Sequence, residues 1–240
     1  MRGLGTVINV LAIIVGGIAG MSFKGLMTKR FQETLNAATG VCVIFLGIAG
    51  AMEKMLVINN GVLESKGTVM LIVSMAAGSL IGEAINLDGL MEKFGVWLKQ
   101  KTNSQKDNSF VEGFVNASLT VCIGAMAVVG SIQDGIFGDY SILMAKALLD
   151  ALIIMIMAAS FGKGCIFSAI PVGIFQGSVT FLAGLLQPFI SDGAMNNLSM
   201  AGSVLIFCVG VNLVFKMKIK VANMLPAIFI AAFAGGILGA

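Results

Sequence analysis

LGTVINVLAIIVGGIAGM, residues Leu4–Met21, carries no charge, and its only polar side chains are Thr6 and Asn9. About 20 apolar residues cross the hydrocarbon core of a bilayer as a helix, so this run is long enough to span. It is too long for the short apolar core of a signal peptide and reads as a retained first helix. Comparable runs recur to the end of the chain. Eight segments qualify: Leu4–Ser22, Leu35–Met52, Gly67–Leu87, Phe114–Ile132, Ile142–Phe161, Cys165–Leu186, Leu198–Phe215 and Val221–Gly239, here called spans 1 to 8. They are continuous rather than alternating ten-residue pieces, which favours helices over a β-barrel. Only 11% of the 240 residues are charged and 58% are hydrophobic, where a soluble domain carries about 25% charge. The expected fold is all-α: one polytopic transmembrane domain over residues 1–240, its main environment lipid.

Lysine and arginine set the orientation. With eight spans, one side receives Lys24, Lys29, Arg30, Lys93, Lys99, Lys101, Lys106, Lys163, Lys216, Lys218 and Lys220, and the other only Arg2, Lys54, Lys66 and Lys146. This bias puts both termini outside the cytoplasm. Within the longest connection, Leu90–Lys101 mixes apolar residues with lysines and reads as an interfacial helix with Trp97 at the headgroups. The Lys216–Lys220 cluster marks a cytoplasmic loop near anionic lipid rather than a nucleic-acid patch.

Self-comparison exposes repeats. At a shift of 80 residues, Asn36–Cys42 falls on Asn116–Cys122, so spans 2–3 resemble spans 4–5. At a shift of 157, Ala12–Gly16 falls on Ala169–Gly173, Gly20 on Gly177, Ala77-Gly78 on Ala234-Gly235 and Gly82 on Gly239. Spans 1 and 3 thus resemble spans 6 and 8, and spans 2 and 7 pair by elimination. Cognates five spans apart run in opposite directions. Residues 4–88 and 165–239 therefore read as inverted three-helix repeats around a central hairpin, 114–162, a recurring plan of secondary transporters.

Four Gly-x-x-x-Gly pairs fall on the repeat-related spans: Gly16/Gly20, Gly78/Gly82, Gly173/Gly177 and Gly235/Gly239. Such pairs let helix backbones approach closely. Pro171 is expected to kink span 6 and free a carbonyl, with Gln176 nearby. Glu83, Lys146 and Asp150 are ionisable residues inside spans, where charges are costly and are functional or paired. Lys146 and Asp150 stand one turn apart, as an ion pair requires. Asn9, Glu83, Asp150, Pro171 and Gln176 are the candidate pathway residues. Asn36, Asn116 and Asn197, near the starts of their spans, suit capping. Gln133-Asp134-Gly135 and Ser191-Asp192-Gly193 read as outer turns. The chain has no histidine, and its four cysteines are scattered through apolar runs. No phosphate loop, nucleophile–base set or metal-ligand spacing stands out, so neither an enzyme nor a cofactor or metal is expected.

The opening glycine-rich span, the segment NAATGVCVIFLGIAGAME at Asn36–Glu53 and AGSLIGE at Ala77–Glu83 together resemble a bacterial membrane-protein family catalogued as domain of unknown function 554. The likeness extends over essentially the whole chain. It implies a multi-pass protein of the bacterial cytoplasmic (inner) membrane, of a kind often labelled a transport protein, and supplies no substrate. The functional expectation is a small secondary transporter of a small solute or ion, working as a homo-oligomer in the bilayer and without nucleic acid. The alternatives are a channel or pore, and a scaffold or sensor that moves no solute.

Overall fold

A computed structural model of the chain describes residues 2–24, 28–122, 125–186 and 191–238. The elements in order are α1 (Leu4–Lys24), α2 (Lys29–Met55), β1 (Leu56–Asn59), β2 (Val62–Ser65), α3 (Thr68–Ile85), α4 (Leu87–Lys101), α5 (Phe110–Cys122), α6 (Ala125–Phe137) and α7 (Ser141–Phe161). A 3-10 helix (Lys163–Ser168) follows, then α8 (Ala169–Phe181), α9 (Ala183–Leu186), α10 (Asp192–Phe215), α11 (Val221–Met224) and α12 (Pro226–Leu238). Among the described residues six helical stretches are long and apolar enough to cross a membrane: Leu4–Phe23, Ala37–Met55, Thr68–Ile85, Ser141–Phe161, Lys163–Phe181 and Asp192–Phe215.

Two expected spans differ in form. Span 4 is not one straight helix but α5 and α6, inclined at 62° across residues 123 and 124, which lie outside the described residues. Span 8 is a short apolar stretch, Val221–Gly235, divided into α11 and α12. Pro226 opens α12, at the helix position where a missing N–H costs nothing. One short β-hairpin of two four-residue strands joins α2 to α3 in the otherwise helical fold. β1 and β2 pair antiparallel with Asn59 opposite Val62. Asn60 and Gly61 both have positive φ, 50° and 79°, the conformation a two-residue type I′ turn demands.

The chain divides into two compact units that interleave along the sequence and cut across the sequence repeats. One comprises Met1–Thr39, Gly89–Cys122 and Met126–Gln187; the other comprises Gly40–Asp88, Ile123–Ala125 and Pro188–Ala240.

In the first unit α1 lies in parallel register against α7. A Cβ on Gly16 would fall on the Ala151 carbonyl, and one on Gly20 on the Met155 carbonyl. These glycines bring the two backbones into contact, the close approach that lipid-embedded helices use in place of a hydrophobic drive. The antiparallel neighbour of α1 is the 3-10 helix with α8, where Gly17 faces Ile166 and Val10 faces Gly173. Facing outward from α1 are Val7, Leu11, Val15 and Ile18, spaced to form one apolar stripe suited to lipid. Helix α4 forms as expected and seats Leu98 on the buried pair Phe110 and Phe114, with Trp97 half exposed.

In the second unit α2 runs antiparallel to α10, with Gly40 against Val214, Gly47 against Phe207 and Gly50 against Ser203. Helix α3 runs antiparallel to α11 and α12. There a Cβ on Gly78 would meet the Ala227 amide, and one on Gly82 the Asn223 carbonyl. Gly235 instead abuts Gly193 of α10, and Gly239 lies outside the described residues.

A buried ion pair with two half-satisfied amides

Asp150 stands near the middle of α7, nine residues after Ser141 and eleven before Phe161. Lys146 lies one turn earlier, and its Nζ donates to Asp150 Oδ1 at 2.7 Å and Oδ2 at 2.6 Å. Both side chains are over nine-tenths buried, with exposures of 8% and 5%. The ammonium makes a third bond, 2.8 Å to the carbonyl of Val121. That carbonyl lies one residue before Cys122, the last described residue of α5. All three N–H bonds of Lys146 therefore end on oxygen.

Helix α1 adds Asn9, fully buried. Its Nδ2 donates to Asp150 Oδ2 at 3.0 Å and to Gln176 Oε1 at 3.3 Å. Gln176 comes from α8 and is also buried. The glycine contacts between α1 and α7 bring Asn9 and Asp150 within reach of each other. The two amides are each half satisfied: Asn9 Oδ1 and Gln176 Nε2 are enclosed and have no partner among the described residues. The hydroxyls of Thr6 and Thr180 are likewise enclosed without a partner among the described residues. Thr6 lies three residues from Asn9 on α1, and Thr180 four from Gln176 on α8, so each shares its neighbour's helix face. Ser118, Ser131 and Ser160 carry further enclosed hydroxyls of this kind among the described residues, and an unpaired buried polar group costs about 1–3 kcal/mol.

The structure thus brings together Asn9, Asp150 and Gln176, and binds them to Lys146. Pro171 sits beside them differently from expectation. Span 6 begins as a 3-10 helix, and Pro171 falls in the first turn of α8. Its missing N–H is one of the four that a helix start leaves free, so it costs no internal bond. Gly173 approaches only the Val10 side chain, and Gly177 has nothing within 4 Å of where a Cβ would stand. Neither glycine brings two backbones together among the described residues.

Glu83 lies in the other unit. It accepts from Lys220 Nζ at 2.6 Å and from Asn223 Nδ2, and Asn223 Oδ1 accepts the Asp88 amide at 2.7 Å. Glu83 and Lys220 are about half exposed. Their contact holds the Lys220 ammonium above its ordinary range, chiefly through the hydrogen bond to Glu83. This arrangement ties α3 to the start of α11.

Several polar positions differ from their sequence reading. Asp134 is not in an outer turn but within α6, fully buried, accepting the Gly3 and Gly5 amides at the start of α1. There it offsets the positive end of that helix. Asn116 and Asn197 lie inside α5 and α10 rather than capping them, and the side chain of Asn36 lies outside the described residues. The start of α10 is capped by Ser191, whose Oγ accepts the Ala194 amide. Among the described residues no three of His, Cys, Asp and Glu gather where a metal ion could sit. A shallow apolar groove of about 170 Å³, lined by Gly47, Ile48, Ala51, Met52, Val204 and Phe207, holds none of these polar groups.

The family model described as "Protein of unknown function (DUF554)" matches residues 4–235. The chain belongs to this family. Its relatives include the "Uncharacterized membrane protein YdfK" of Bacillus subtilis (strain 168), 30% identical over 226 residues, or 94% of this chain and 93% of that protein. The "Uncharacterized protein YqgA" of Escherichia coli (strain K12) is 26% identical over 232 residues, 95% of this chain and 94% of that one. No solved structure matches. The family, the membrane-protein relative and the long apolar helices together make this a helical membrane protein.

Proposed function

We propose that the protein is a small secondary transporter of a small solute or ion in the bacterial cytoplasmic membrane, working as a homo-oligomer. The observation that carries this reading is the buried constellation of Lys146, Asp150, Asn9 and Gln176. A charge near the middle of a span costs roughly 2.5–3.5 kcal/mol on insertion scales. An ion pair kept only for structure would be expected to close its surrounding hydrogen bonds. Here an acceptor on Asn9 and a donor on Gln176 are left over, which are the groups a bound solute would use.

The proposed topology has eight crossings, inverted repeats in spans 1–3 and 6–8, and both termini outside the cytoplasm. Helix directions support it. α1 and α7, four spans apart, run parallel, while α1 with α8, α2 with α10 and α3 with α12 are five apart and run antiparallel. Eight crossings require this pattern. The three antiparallel pairs are also the three cognate pairs of the repeats.

The test is transport by the purified protein in liposomes, offered a mixed panel of salts, carboxylates, amino acids and sugars, with the washed vesicle contents then quantified. The reading expects at least one solute to accumulate saturably with wild type and not with Asp150→Asn. Non-saturating equilibration would indicate a pore, and contents identical to protein-free vesicles for every solute would remove the transport reading.

A further inference from the structure

We propose that the buried site takes a small uncharged solute of the amide or urea class, held by one hydrogen bond to Asn9 Oδ1 and one from Gln176 Nε2. The proposal rests on the transporter reading and names its substrate class.

Charge is the first selector. The cluster holds one ammonium and one carboxylate, and they satisfy each other. Lys146 Nζ spends its N–H bonds on Asp150 Oδ1, Asp150 Oδ2 and the Val121 carbonyl, at 2.6–2.8 Å. Asp150 Oδ2 also accepts Asn9 Nδ2 at 3.0 Å. An anion entering here finds no ammonium N–H to spare, and a cation meets a carboxylate already occupied. Either would add an uncompensated charge to a neutral, enclosed cluster, which is strongly unfavourable.

What remains open is a matched pair of neutral groups. Asn9 on α1 and Gln176 on α8 have exposures of 0% and 1%. They share a single bond, Nδ2 to Oε1 at 3.3 Å. Two facing amides can close two bonds, but here Asn9 Oδ1 and Gln176 Nε2 are enclosed and unpartnered among the described residues. The neighbours fix which atom is which. Turning the Asn9 amide over would set its oxygen against the Asp150 carboxylate. Turning the Gln176 amide over would set N–H groups against N–H groups. The unused acceptor therefore belongs to α1 and the unused donor to α8. An amide answers both, its N–H donating to Asn9 Oδ1 and its carbonyl accepting from Gln176 Nε2. The enclosed hydroxyls of Thr6 and Thr180, on the same faces of α1 and α8, are uncharged as well.

The wall that can give way is α8. Gly16 and Gly20 lock α1 to α7 backbone to backbone, which holds Asn9 and Asp150 at a fixed spacing. Beside Gln176, a Cβ on Gly177 would meet nothing within 4 Å, and one on Gly173 only the Val10 side chain. A shift of α8 thus moves Gln176 while the ion pair and Asn9 stay in place.

Uptake of radiolabelled urea and acetamide into liposomes containing the purified protein, measured above protein-free vesicles, tests this. Three competitors of similar size separate the features of the ligand: guanidinium and acetate are charged, and dimethyl sulfoxide accepts a hydrogen bond but cannot donate one. The expected result is saturable uptake of urea or acetamide that the other amide inhibits and the three competitors do not. A polar site rejects an analogue that leaves one of its buried groups unpaired. Gln176→Met keeps the bulk and removes the donor, so uptake is expected to slow at least tenfold. The proposal is overturned if neither urea nor acetamide enters saturably, as when a buried water alone fills the cluster. It is also overturned if guanidinium or acetate competes as well as the neutral solutes, or if folded Gln176→Met transports at the wild-type rate. The selectivity of wild type decides the matter even if the variant does not fold. Saturable accumulation of a charged solute from the panel described above, without uptake of urea or acetamide, removes this proposal and leaves the transporter, whereas failure of both removes both.

Discussion

At the residue scale the Lys146–Asp150 pair bears on stability, and the proposed function rests on it. Removing one partner of a buried pair leaves the other charge uncompensated, at a cost of about 3–5 kcal/mol, while replacing both by apolar groups is neutral or stabilising. Asp150→Ala is therefore expected to lower the unfolding midpoint in detergent sharply. Lys146→Met with Asp150→Leu is expected to restore most of it while remaining inactive. A double variant as unstable as the single one would mean that the pair is not acting as a coupled unit. Glu83 should behave differently, since its contact with Lys220 is half exposed and such pairs contribute little. Lys220 has a raised pKa, so any stability it adds is fully present below pH 10.5, its ordinary value, and is lost only as pH rises through the raised one. Glu83→Gln should then leave the pH dependence of stability between 6 and 8 unchanged, as thermal unfolding at each pH would check. Asn9, Asp150 and Gln176 were legible in the sequence because polar side chains stand out in apolar runs. The Val121 carbonyl was not, because a backbone oxygen leaves no mark in the pattern of side chains. Glu83 drew attention by the same polarity rule, yet near a helix end a carboxylate also serves as a simple tie.

At the scale of elements, Gly-x-x-x-Gly signals four seams in the sequence, but the pattern cannot say which glycines meet a backbone. Gly16 and Gly20 on α1, and Gly78 and Gly82 on α3, do so. Forcing a methyl group into such a seam should separate the helices, with a cost of about 1–3 kcal/mol or more. Gly20→Ala is expected to lower thermal stability and, by moving α1, to weaken the Asn9–Asp150 contact. Gly177→Ala has open space and removes a flexible residue from a helix, which is worth roughly 0.5–1 kcal/mol, so its midpoint should hold or rise. Equal losses for the two variants would contradict this assignment of the seams. The hairpin carries a clear Asn-Gly turn signal, but Leu56–Ser65 is too short beside the long spans to stand out from a loop. The division of span 4 was illegible for a related reason, since mean apolarity reports length and is blind to a change of direction.

At the scale of the whole molecule, the charge bias and the helix directions argue for one arrangement. In the proposed topology eleven of the fifteen lysines and arginines face the cytoplasm, spans five apart run antiparallel, and both ends of the chain lie outside. A C-terminal alkaline phosphatase fusion should accordingly be active in cells and a fluorescent-protein fusion dark; the opposite pair of results would reverse the orientation or change the number of crossings. The fold class could be read from composition and run length because lipid leaves a long chain few alternatives to apolar helices. The grouping of spans into two units could not, since it depends on which faces touch. The central claim is that the buried ion pair and its two amides form a ligand site, and ligand binding to the folded state raises apparent stability by mass action. The most direct measurement is the thermal midpoint of the purified protein titrated with alkali cations and the solute panel, for wild type and Asp150→Asn. The account predicts a saturable rise for at least one ligand with wild type and none with the variant. A wild-type midpoint that moves with no ligand, or a rise that persists undiminished in Asp150→Asn, would contradict it.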